Sequence, residues 1–491
     1  MAWDPGFNVA FNPRSVAVLG ASTKERGGGN QFIRSMQEME YQGTIYPINP
    51  GAEEIMGLKC YPSLAAVPEV PDLVIMAVGA RRAEAALEEC IAKGARNIHM
   101  FTAGFAETGE EEGANLAERL REVARRGRLN IIGPNCMGIY SPTGRISPWG
   151  KLPTKAGPIA FLTQSGALGG EFSRLAPDYR LRMSKVISYG NGYVLDCTDF
   201  LEYLETDPET KYIAMYLEGV QDGSKLLQMV QRILPRKPII ICKGGFTAAG
   251  AKAAASHTGA LAGQQAVWDA FFTQSGAIRV DSIEELVDVL LALVHLPPCT
   301  GRGVALMGGA GGTSVTGTDV VARNGLDVPD ISDHIQRELR SFIRVAGTSV
   351  RNPMDVGMQL RGPEDYLRVL ELVAADPVID IVMMIMQPMW SRWAGRKFAN
   401  KMLSSLLDFA RSSKDAKPFC IAIRSPSDSL EAEKDRLGMT RDFLAAGIPV
   451  FKTVERACRA LYGFTGYYRT VQEVEAAETE AAGAPARRRA S

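Results

Sequence analysis

The stretch RSVAVLGASTKERGGGN, residues 14–30, decides the fold of the first part of this 491-residue chain. A β-branched apolar run ends at Gly20, and a glycine-rich turn follows before a predicted helix that begins at Asn30. Strand, turn and helix in this order form a βαβ unit, in which N–H groups at the helix start can bind an anion. Lys24 and Arg26 add positive charge suited to a phosphate. The stretch therefore predicts a parallel α/β sheet with a nucleotide-like ligand at this turn.

A nicotinamide-dependent dehydrogenase is disfavoured by the same region. The turn lacks the G-x-G-x-x-G spacing. After the second predicted strand, where such an enzyme has an acidic residue for a ribose hydroxyl, the chain has Asn49 and Pro50. A tight turn without any ligand remains the alternative for the glycines alone.

The alternation of short apolar strands with amphipathic helices continues along the whole chain. It predicts doubly wound α/β domains. A Pro/Gly-rich bridge over residues 141–157 and the breakers Pro297, Pro298 and Gly301 mark boundaries. We expect three α/β domains and a mobile tail, at residues 1–150, 151–298, 299–470 and 471–491.

The composition excludes several classes of protein. Lys plus Arg and Asp plus Glu each number 55, so no global basic field attracts nucleic acid or an anionic membrane. The eight cysteines form no C-x-x-C pair, which argues against structural zinc and a disulfide framework. No signal pattern and no apolar run of about 18 residues is visible. We expect a cytoplasmic protein without a membrane span or a metal site.

Two further turns place glycines at predicted helix starts. One is Ser165-Gly166, and the other contains Gly311-Gly312. A helix N-terminus stabilises an anion by about 0.3–1 kcal/mol at exposed sites. Either turn alone is explained by packing, but together they predict a phosphoryl group held between two helix starts.

His257 is the strongest candidate among the four histidines. It lies in ASHTGALAG, residues 255–263, where small residues are typical of a mobile loop. A neutral imidazole is a competent nucleophile toward a phosphoryl group. His99 lies in an apolar strand and is interpreted as a core residue, whereas His295 and His334 lie at predicted helix ends.

Glu218 supports a catalytic role for His257. It follows the predicted strand 212–217, so its side chain is expected at the carboxyl end of a parallel strand, where α/β ligands bind. A carboxylate there can accept a hydrogen bond from one imidazole nitrogen and orient the other. The alternative is an ordinary solvated glutamate. Cys136 has no histidine nearby in sequence and is interpreted as structural.

In their order and spacing, these motifs resemble the alpha subunit of NDP-forming acyl-CoA synthetases. That family includes ADP-forming acetyl-CoA synthetase and, more distantly, succinyl-CoA synthetase. The resemblance extends from Pro13 to about Tyr468 and implies a CoA-binding Rossmann-like domain followed by two flavodoxin-like, succinyl-CoA synthetase-like domains. It rests on Gly20-Ala21-Ser22, Gly133-Pro134-Asn135-Cys136, Gln164-Ser165-Gly166, Glu218-Gly219, Ser256-His257-Thr258-Gly259 and Asn352-Pro353-Met354-Asp355.

The resemblance also implies roles for individual residues. His257 would be the phosphohistidine and Glu218 the residue that holds it. The helices that begin at Ser165-Gly166 and Gly311-Gly312 would stabilise the phosphate. The residues expected to bind CoA are Gly20, Ala21, Ser22, Lys24, Arg26, Asn49, Pro50, Val78, Thr102, Ala103, Gly104 and Asn135.

The implied reaction is acyl-CoA + ADP + phosphate ⇌ carboxylate + CoA + ATP, through acyl phosphate. No block of about 200 residues is left over for the ATP-grasp domain that the family uses to bind the nucleotide. We therefore expect a separate ATP-grasp beta subunit that binds ATP or ADP with Mg²⁺, in a heterotetramer. The alternative is a CoA-binding or regulatory module without turnover. Tyr140, Trp149 and Tyr189 are candidates for the acyl pocket.

Overall fold

The computed structural model describes residues 5–24, 27–247, 249–250, 264–308, 311–344, 347–356, 360, 362–388, 396–412, 417–425 and 427–483. The chain divides into two compact units, Met1–Ile283 and Glu284–Ser491. Within the described residues, we find no helix that combines the length and the apolar character needed to cross a bilayer.

The first unit opens with a five-stranded parallel sheet whose strands are apolar because helices cover both faces. The strand order is β2-β1-β5-β6-β7, so the chain reverses direction across the sheet between β1 and β5. In chain order the elements are β1 (Ser15–Leu19), α1 (Asn30–Glu38), β2 (Thr44–Ile48), the hairpin β3 (Glu54–Ile55) and β4 (Leu58–Lys59), β5 (Leu73–Met76), α2 (Ala80–Lys93), β6 (Asn97–Met100), α3 (Glu111–Gly127) and β7 (Asn130–Ile132).

A second sheet completes the first unit. Its order is β13-β12-β11-β9-β10-β8, with β8 antiparallel to β10 and the direction reversed between β9 and β11. The sequence analysis missed β8, a strand of three residues. The elements are β8 (Gly138–Tyr140), β9 (Ile159–Thr163), α4 (Gly166–Asp178), β10 (Met183–Ser188), α5 (Cys197–Thr206), β11 (Tyr212–Leu217), α6 (Gly223–Ile233), β12 (Ile239–Lys243), α7 (Gln265–Ser275) and β13 (Ile278–Val280).

The second unit contains a third sheet with the parallel order β14-β15-β16-β17. Its last helix ends at Gly483, within the segment that was predicted as a tail. The elements are α8 (Ile283–His295), β14 (Val304–Met307), α9 (Gly311–Arg323), α10 (Asp333–Phe342), α11 (Pro363–Ala375), β15 (Ile381–Met386), α12 (Arg396–Ser412), β16 (Phe419–Ile423), α13 (Leu430–Ala445), β17 (Val450–Phe451) and α14 (Val454–Gly483). The predicted doubly wound α/β fold is confirmed.

A buried ion pair fixes α8 to α14 within the second unit. Asp288 is 2% exposed, and its carboxylate accepts a hydrogen bond of 2.5 Å from Arg456. Arg456 also donates to the main-chain oxygen of Glu284. Burial raises the pKa of Asp288 to about 6, although Arg456 opposes this change. These contacts lie within the second unit, which begins at Glu284 of α8, and the predicted domain boundary at residue 298 stays a prediction.

Replacing Arg456 with Met is expected to lower the free energy of unfolding by about 3–5 kcal/mol, because it leaves Asp288 as a buried charge without its partner. Arg459→Met is the matched control on the same helix, since Arg459 pairs with Glu285 closer to solvent and such pairs contribute about 0–1 kcal/mol. Urea unfolding, with hydrogen exchange of α14 peptides, measures both. Equal losses of unfolding free energy in the two variants would contradict a stabilising role for the buried pair of Asp288 and Arg456.

Candidate active site

The turn after β1 requires a glycine at its first position. Gly20 has a φ of +92°, and a Cβ there would lie 2.4 Å from the main-chain oxygen of Ala77. Asn30 braces the turn, since its Oδ1 accepts the N–H of Ser22 at 2.9 Å and its Nδ2 donates to the oxygens of Ser22 and Lys24. The turn is thereby fixed beside the N-terminus of α1, where unpaired N–H groups can meet an anion.

Other residues predicted to bind CoA lie at the carboxyl ends of neighbouring strands. The Asn49 amide donates to the oxygen of Ala21 at 2.8 Å. The Thr102 hydroxyl donates to the oxygen of Val78 at 2.8 Å, and the N–H of Asn135 donates to the oxygen of Thr102 at 2.9 Å. The structure therefore brings these predicted residues to one edge of the first sheet.

One of the predicted CoA contacts is occupied from within the chain. The N–H groups of Gly104 and Phe105 both donate to Glu107 Oε1, at 2.7 and 3.1 Å. The other oxygen of Glu107 accepts the Asn191 amide at 2.7 Å. Sequence reasoning missed Glu107 and Asn191, whose contact joins the first two sheets. The main-chain N–H of Gly104 is therefore engaged. The predicted CoA-binding residues that are exposed in the described structure are Lys24, Pro50 and Ala103.

The helix start predicted from Ser165 and Gly166 lies where the second sheet reverses direction. Ser165 caps α4, since its hydroxyl accepts the N–H of Leu168 at 3.3 Å. The Trp149 indole donates to the oxygen of Gly166 at 3.1 Å, and a Cβ on Gly166 would lie 2.5 Å from Met137 Cγ. The first turn of α4 is thus flanked by two apolar side chains, with no side chain on Gly166 itself.

Glu218 follows β11 directly and is held by Gln164, which follows β9. Gln164 Oε1 accepts the N–H of Glu218 at 2.5 Å and that of Gly219 at 3.0 Å. The Tyr216 phenol donates to Glu218 Oε1 at 3.3 Å, and burial together with this carboxylate raises the pKa of Tyr216, which keeps it a donor. Glu218 is 6% exposed, and its Oε2 has no hydrogen-bond partner within the described part of the chain. One carboxylate oxygen is therefore left for an outside donor.

Lys243 is a site residue that the sequence analysis did not identify. It ends β12 and is 7% exposed. Its ammonium donates to the main-chain oxygen of Glu218 at 2.8 Å and also to that of Gly244. The ring centroid of Trp268 lies 5.0 Å from Nζ. Burial lowers the pKa of Lys243 to about 8, and the negative charge of Glu218 opposes part of this change.

The helix start predicted at Gly311 and Gly312 is the beginning of α9 in the second unit. Asn352 braces β14, the strand that precedes α9, because its amide accepts the N–H of Leu306 at 2.9 Å and donates to the oxygen of Val304 at 2.7 Å. Since α4 and α9 belong to different units, the paired action of their N-termini stays a prediction.

Two residues of the predicted site, His257 and Arg26, lie outside the described residues. His99 is a core residue, as predicted. Its Nε2 lies 3.3 Å from the oxygen of Cys136, and burial lowers its pKa to about 4. Cys136 is buried, and burial raises the pKa of its thiol, in agreement with a structural role.

The aromatic residues considered for the acyl pocket divide into two groups. Tyr140 and Tyr189 are 2% and 1% exposed, and the Tyr140 hydroxyl donates to the oxygen of Pro153 at 2.5 Å. Both are buried, and their place in the acyl pocket stays a prediction. Trp149 is half-buried and lies next to Gly166.

Comparison with known proteins agrees with this arrangement. Residues 14–142 match a CoA-binding domain family, and residues 156–293 match the family of succinyl-CoA ligase-like flavodoxin domains. The alpha subunit of ADP-forming acetate–CoA ligase II from Pyrococcus furiosus is 38% identical, over 76% of this chain and 81% of the relative. For the alpha subunit of ligase I from the same organism, the identity is 34%, over 92% of this chain and 95% of the relative. The chain belongs to the ADP-forming acetate–CoA ligase family.

A solved structure of an acetyl-coenzyme A synthetase has the same fold. Acetyl-coenzyme A synthetase 1 of Ca. Korarchaeum cryptofilum, in complex with phosphate and ADP, superposes with a TM-score of 0.82 at 29% identity. The match covers 96% of this chain and 98% of that one. In contrast, the chain spans 54% of ADP-forming acetate–CoA ligase I from Archaeoglobus fulgidus, which is 37% identical.

Gln164→Leu is expected to destabilise this member of the ligase family, because two main-chain N–H groups at the Glu218 turn lose their acceptor. A buried donor left unsatisfied costs about 1–3 kcal/mol. Gln231→Leu makes the same replacement at an exposed position of α6 and should change the unfolding free energy by no more than about 0.5 kcal/mol. Urea unfolding compares the two, and a neutral Gln164→Leu would show that Gln164 does not hold the turn.

Proposed function

We propose that the chain is the alpha-type subunit of an ADP-forming acyl-CoA synthetase that works through acyl phosphate and a phosphohistidine at His257. It would interconvert acyl-CoA, ADP and phosphate with carboxylate, CoA and ATP. The observation that carries the proposal is the buried Glu218 carboxylate, with one oxygen unpartnered in the described structure, at the reversal point of the second sheet. The names of the relatives support this activity.

The first half of the reaction transfers the acyl group from CoA to phosphate. A phosphate oxygen attacks the thioester carbonyl, the C–S bond breaks, and CoA leaves as a thiolate that takes up a proton. The N–H groups at the start of α4, next to Ser165 and Gly166, are suited to the charge that develops on the resulting acyl phosphate.

The second half transfers the phosphoryl group to the imidazole. One ring nitrogen of His257 attacks phosphorus, the bond from phosphorus to the acyl oxygen breaks, and the carboxylate leaves with the electron pair. Glu218 Oε2 would accept the hydrogen bond of the other ring nitrogen and stabilise the positive charge that the ring gains. The phosphoryl group would then pass to a nucleoside diphosphate.

CoA would lie along the carboxyl edge of the first sheet. The turn that begins at Gly20 leads into the N-terminus of α1, whose N–H groups suit a phosphate, and Lys24 lies within this turn. The match of residues 14–142 to a CoA-binding domain family supports this placement. The pantetheine contacts would come from Thr102, Ala103, Gly104 and Asn135, with the Gly104 N–H held by Glu107.

The nucleotide, with Mg²⁺, would bind on a separate ATP-grasp beta subunit. Two relatives covered over 81% and 95% of their length are named alpha subunits, whereas a relative not named as a subunit is covered over 54%. The remaining part of the reaction would therefore belong to another chain, in a heterotetramer. A CoA-binding module without turnover is the weaker candidate, because it has no use for a buried carboxylate oxygen kept free.

The full chain, given acyl-CoA and ³²P-phosphate, is expected to gain an acid-labile, alkali-stable phosphoryl group. His257→Ala should abolish the label, because the nucleophile is lost. Glu218→Gln should slow labelling at least tenfold and leave CoA affinity unchanged, because it removes charge opposite the imidazole but not the CoA contacts.

His334→Ala is the control for the labelling experiment, since His334 is exposed on α10. It should label at the wild-type rate. Label that persists in His257→Ala would overturn the phosphohistidine, and an unchanged rate in Glu218→Gln would remove Glu218 from the mechanism.

Co-purification from the native cell tests the partner. We expect recovery of an ATP-grasp chain. Addition of that partner with ADP and Mg²⁺ should remove the phosphoryl group from the phosphorylated protein and form ATP. The His257→Ala variant should bind the same partner without forming ATP. If the wild-type complex forms no ATP from ADP, the two-subunit proposal is wrong.

A further inference from the structure

The ladder between β11 and β12 ends one residue before the site carboxylate. Its last hydrogen bond runs from the N–H of Gly244 to the oxygen of Leu217, at 2.8 Å. Glu218 and Gly219 donate instead to Gln164 Oε1. Beyond Leu217, side chains therefore take over the pairing that a strand neighbour would otherwise provide.

Lys243 supplies the other half of this side-chain pairing. Its ammonium donates to the main-chain oxygens of Glu218 and Gly244. The peptide groups on the two sides of the Glu218 Cα are thus bonded to side chains from two different strands, the N–H to Gln164 and the C=O to Lys243. This arrangement fixes the direction in which the carboxylate leaves the main chain.

The same contacts tie the first residue after β12 to the carboxylate. A Cβ on Gly244 would lie 2.3 Å from the Tyr216 hydroxyl, which donates to Glu218 Oε1. Gly244 is therefore packed against the Tyr216 phenol, which holds the Glu218 carboxylate, while Lys243 donates to the main-chain oxygen of Gly244. The chain continues from Gly244 toward His257.

We propose that Lys243 is a positioning residue for Glu218. The Lys243 ammonium bonds the main-chain oxygens of Glu218 and Gly244, at the ends of β11 and β12, and thereby positions the Glu218 carboxylate for the phosphorylated histidine. This inference rests on the proposed function, because it assigns Lys243 to the same phosphoryl transfer. Lys243 touches neither of the reacting groups in this assignment and acts through Glu218.

The charge state of Lys243 gives this role a pH dependence. Among the described residues, the groups shown near it are the carboxylate of Glu218, which follows β11, and the uncharged indole of Trp268 from α7. Asp269, the next residue of α7, pairs with Arg279 of β13. Because the pKa of Lys243 is about 8, the ammonium loses its proton as the pH rises through this value. Uncharged donors form weaker hydrogen bonds, so positioning of Glu218 should weaken at alkaline pH.

Histidine labelling with acyl-CoA and ³²P-phosphate, measured from pH 6.5 to 10, tests the proposal on the full chain. The wild-type rate is expected to fall above about pH 8 with a one-proton dependence. Lys243→Met should label at least tenfold more slowly at pH 7 and should lack this alkaline fall. Lys243→Arg, which stays charged at these pH values, should keep label at pH 9 to 10.

The outcomes that overturn the role of Lys243 are specific. A Lys243→Met rate within twofold of wild type, or an alkaline fall that is the same in wild type and Lys243→Met, excludes it. If Lys243→Met does not fold, as judged by CoA binding and circular dichroism, an unchanged alkaline fall in Lys243→Arg excludes it.

A structural readout separates this inference from the proposed function. Hydrogen exchange of the peptide spanning residues 214–222 should accelerate at least tenfold in Lys243→Met, whether or not the protein is phosphorylated. If the wild-type protein gains no label but exchange is accelerated in Lys243→Met, the phosphohistidine is refuted and the positioning of Glu218 by Lys243 is retained. If Lys243→Met shows normal labelling and unchanged exchange, only the positioning role of Lys243 is refuted.

Discussion

The main-chain groups at the end of β11 must be hydrogen-bonded although no strand continues beside them, and the candidate site depends on this constraint. A buried N–H or C=O without a partner costs about 1–3 kcal/mol. Gln164 and Lys243 meet the constraint from the strands on either side. Because each bond fixes one peptide group, the pairing of the backbone sets the direction of the Glu218 Cα–Cβ bond, and the Tyr216 phenol holds one oxygen of the carboxylate.

The same solution recurs at the other strand ends. Asn30 accepts and donates across the turn after β1, and Asn352 accepts and donates around the start of β14. Glu107 bonds two consecutive N–H groups after β6 and joins them to Asn191 after β10. An amide or carboxylate side chain can replace a missing strand neighbour, and after β1 and β6 such side chains order the carboxyl edge of the first sheet. That edge is where ligands of α/β proteins bind.

Sequence reasoning succeeded where a pattern depends on neighbouring residues. The strand over residues 212–217 was placed without error because it is a buried apolar run, and Glu218 followed from its end. Lys243 was missed because a single lysine after the apolar run Ile239–Cys242 has the pattern of a solvated strand end. Glu107 and Asn191 were missed because they are 84 positions apart and meet only through packing. The burial of Tyr140 could not be predicted from sequence, because burial is a property of the fold.

Within the described residues, the unpaired oxygen of Glu218 is what supports the proposed catalytic role over a structural one. A structural carboxylate gains stability when both oxygens are bonded, as at Asp376, whose oxygens accept from the N–H and the hydroxyl of Ser332. At Glu218 the main chain and one oxygen are fixed while Oε2 is left without a donor in the described structure. A hydrogen bond to a charged group contributes about 1.5–3 kcal/mol, and a carboxylate already oriented delivers that energy to an arriving imidazole without reorganisation. The fold thus leaves unbonded the one group that a transient, positively charged partner would need.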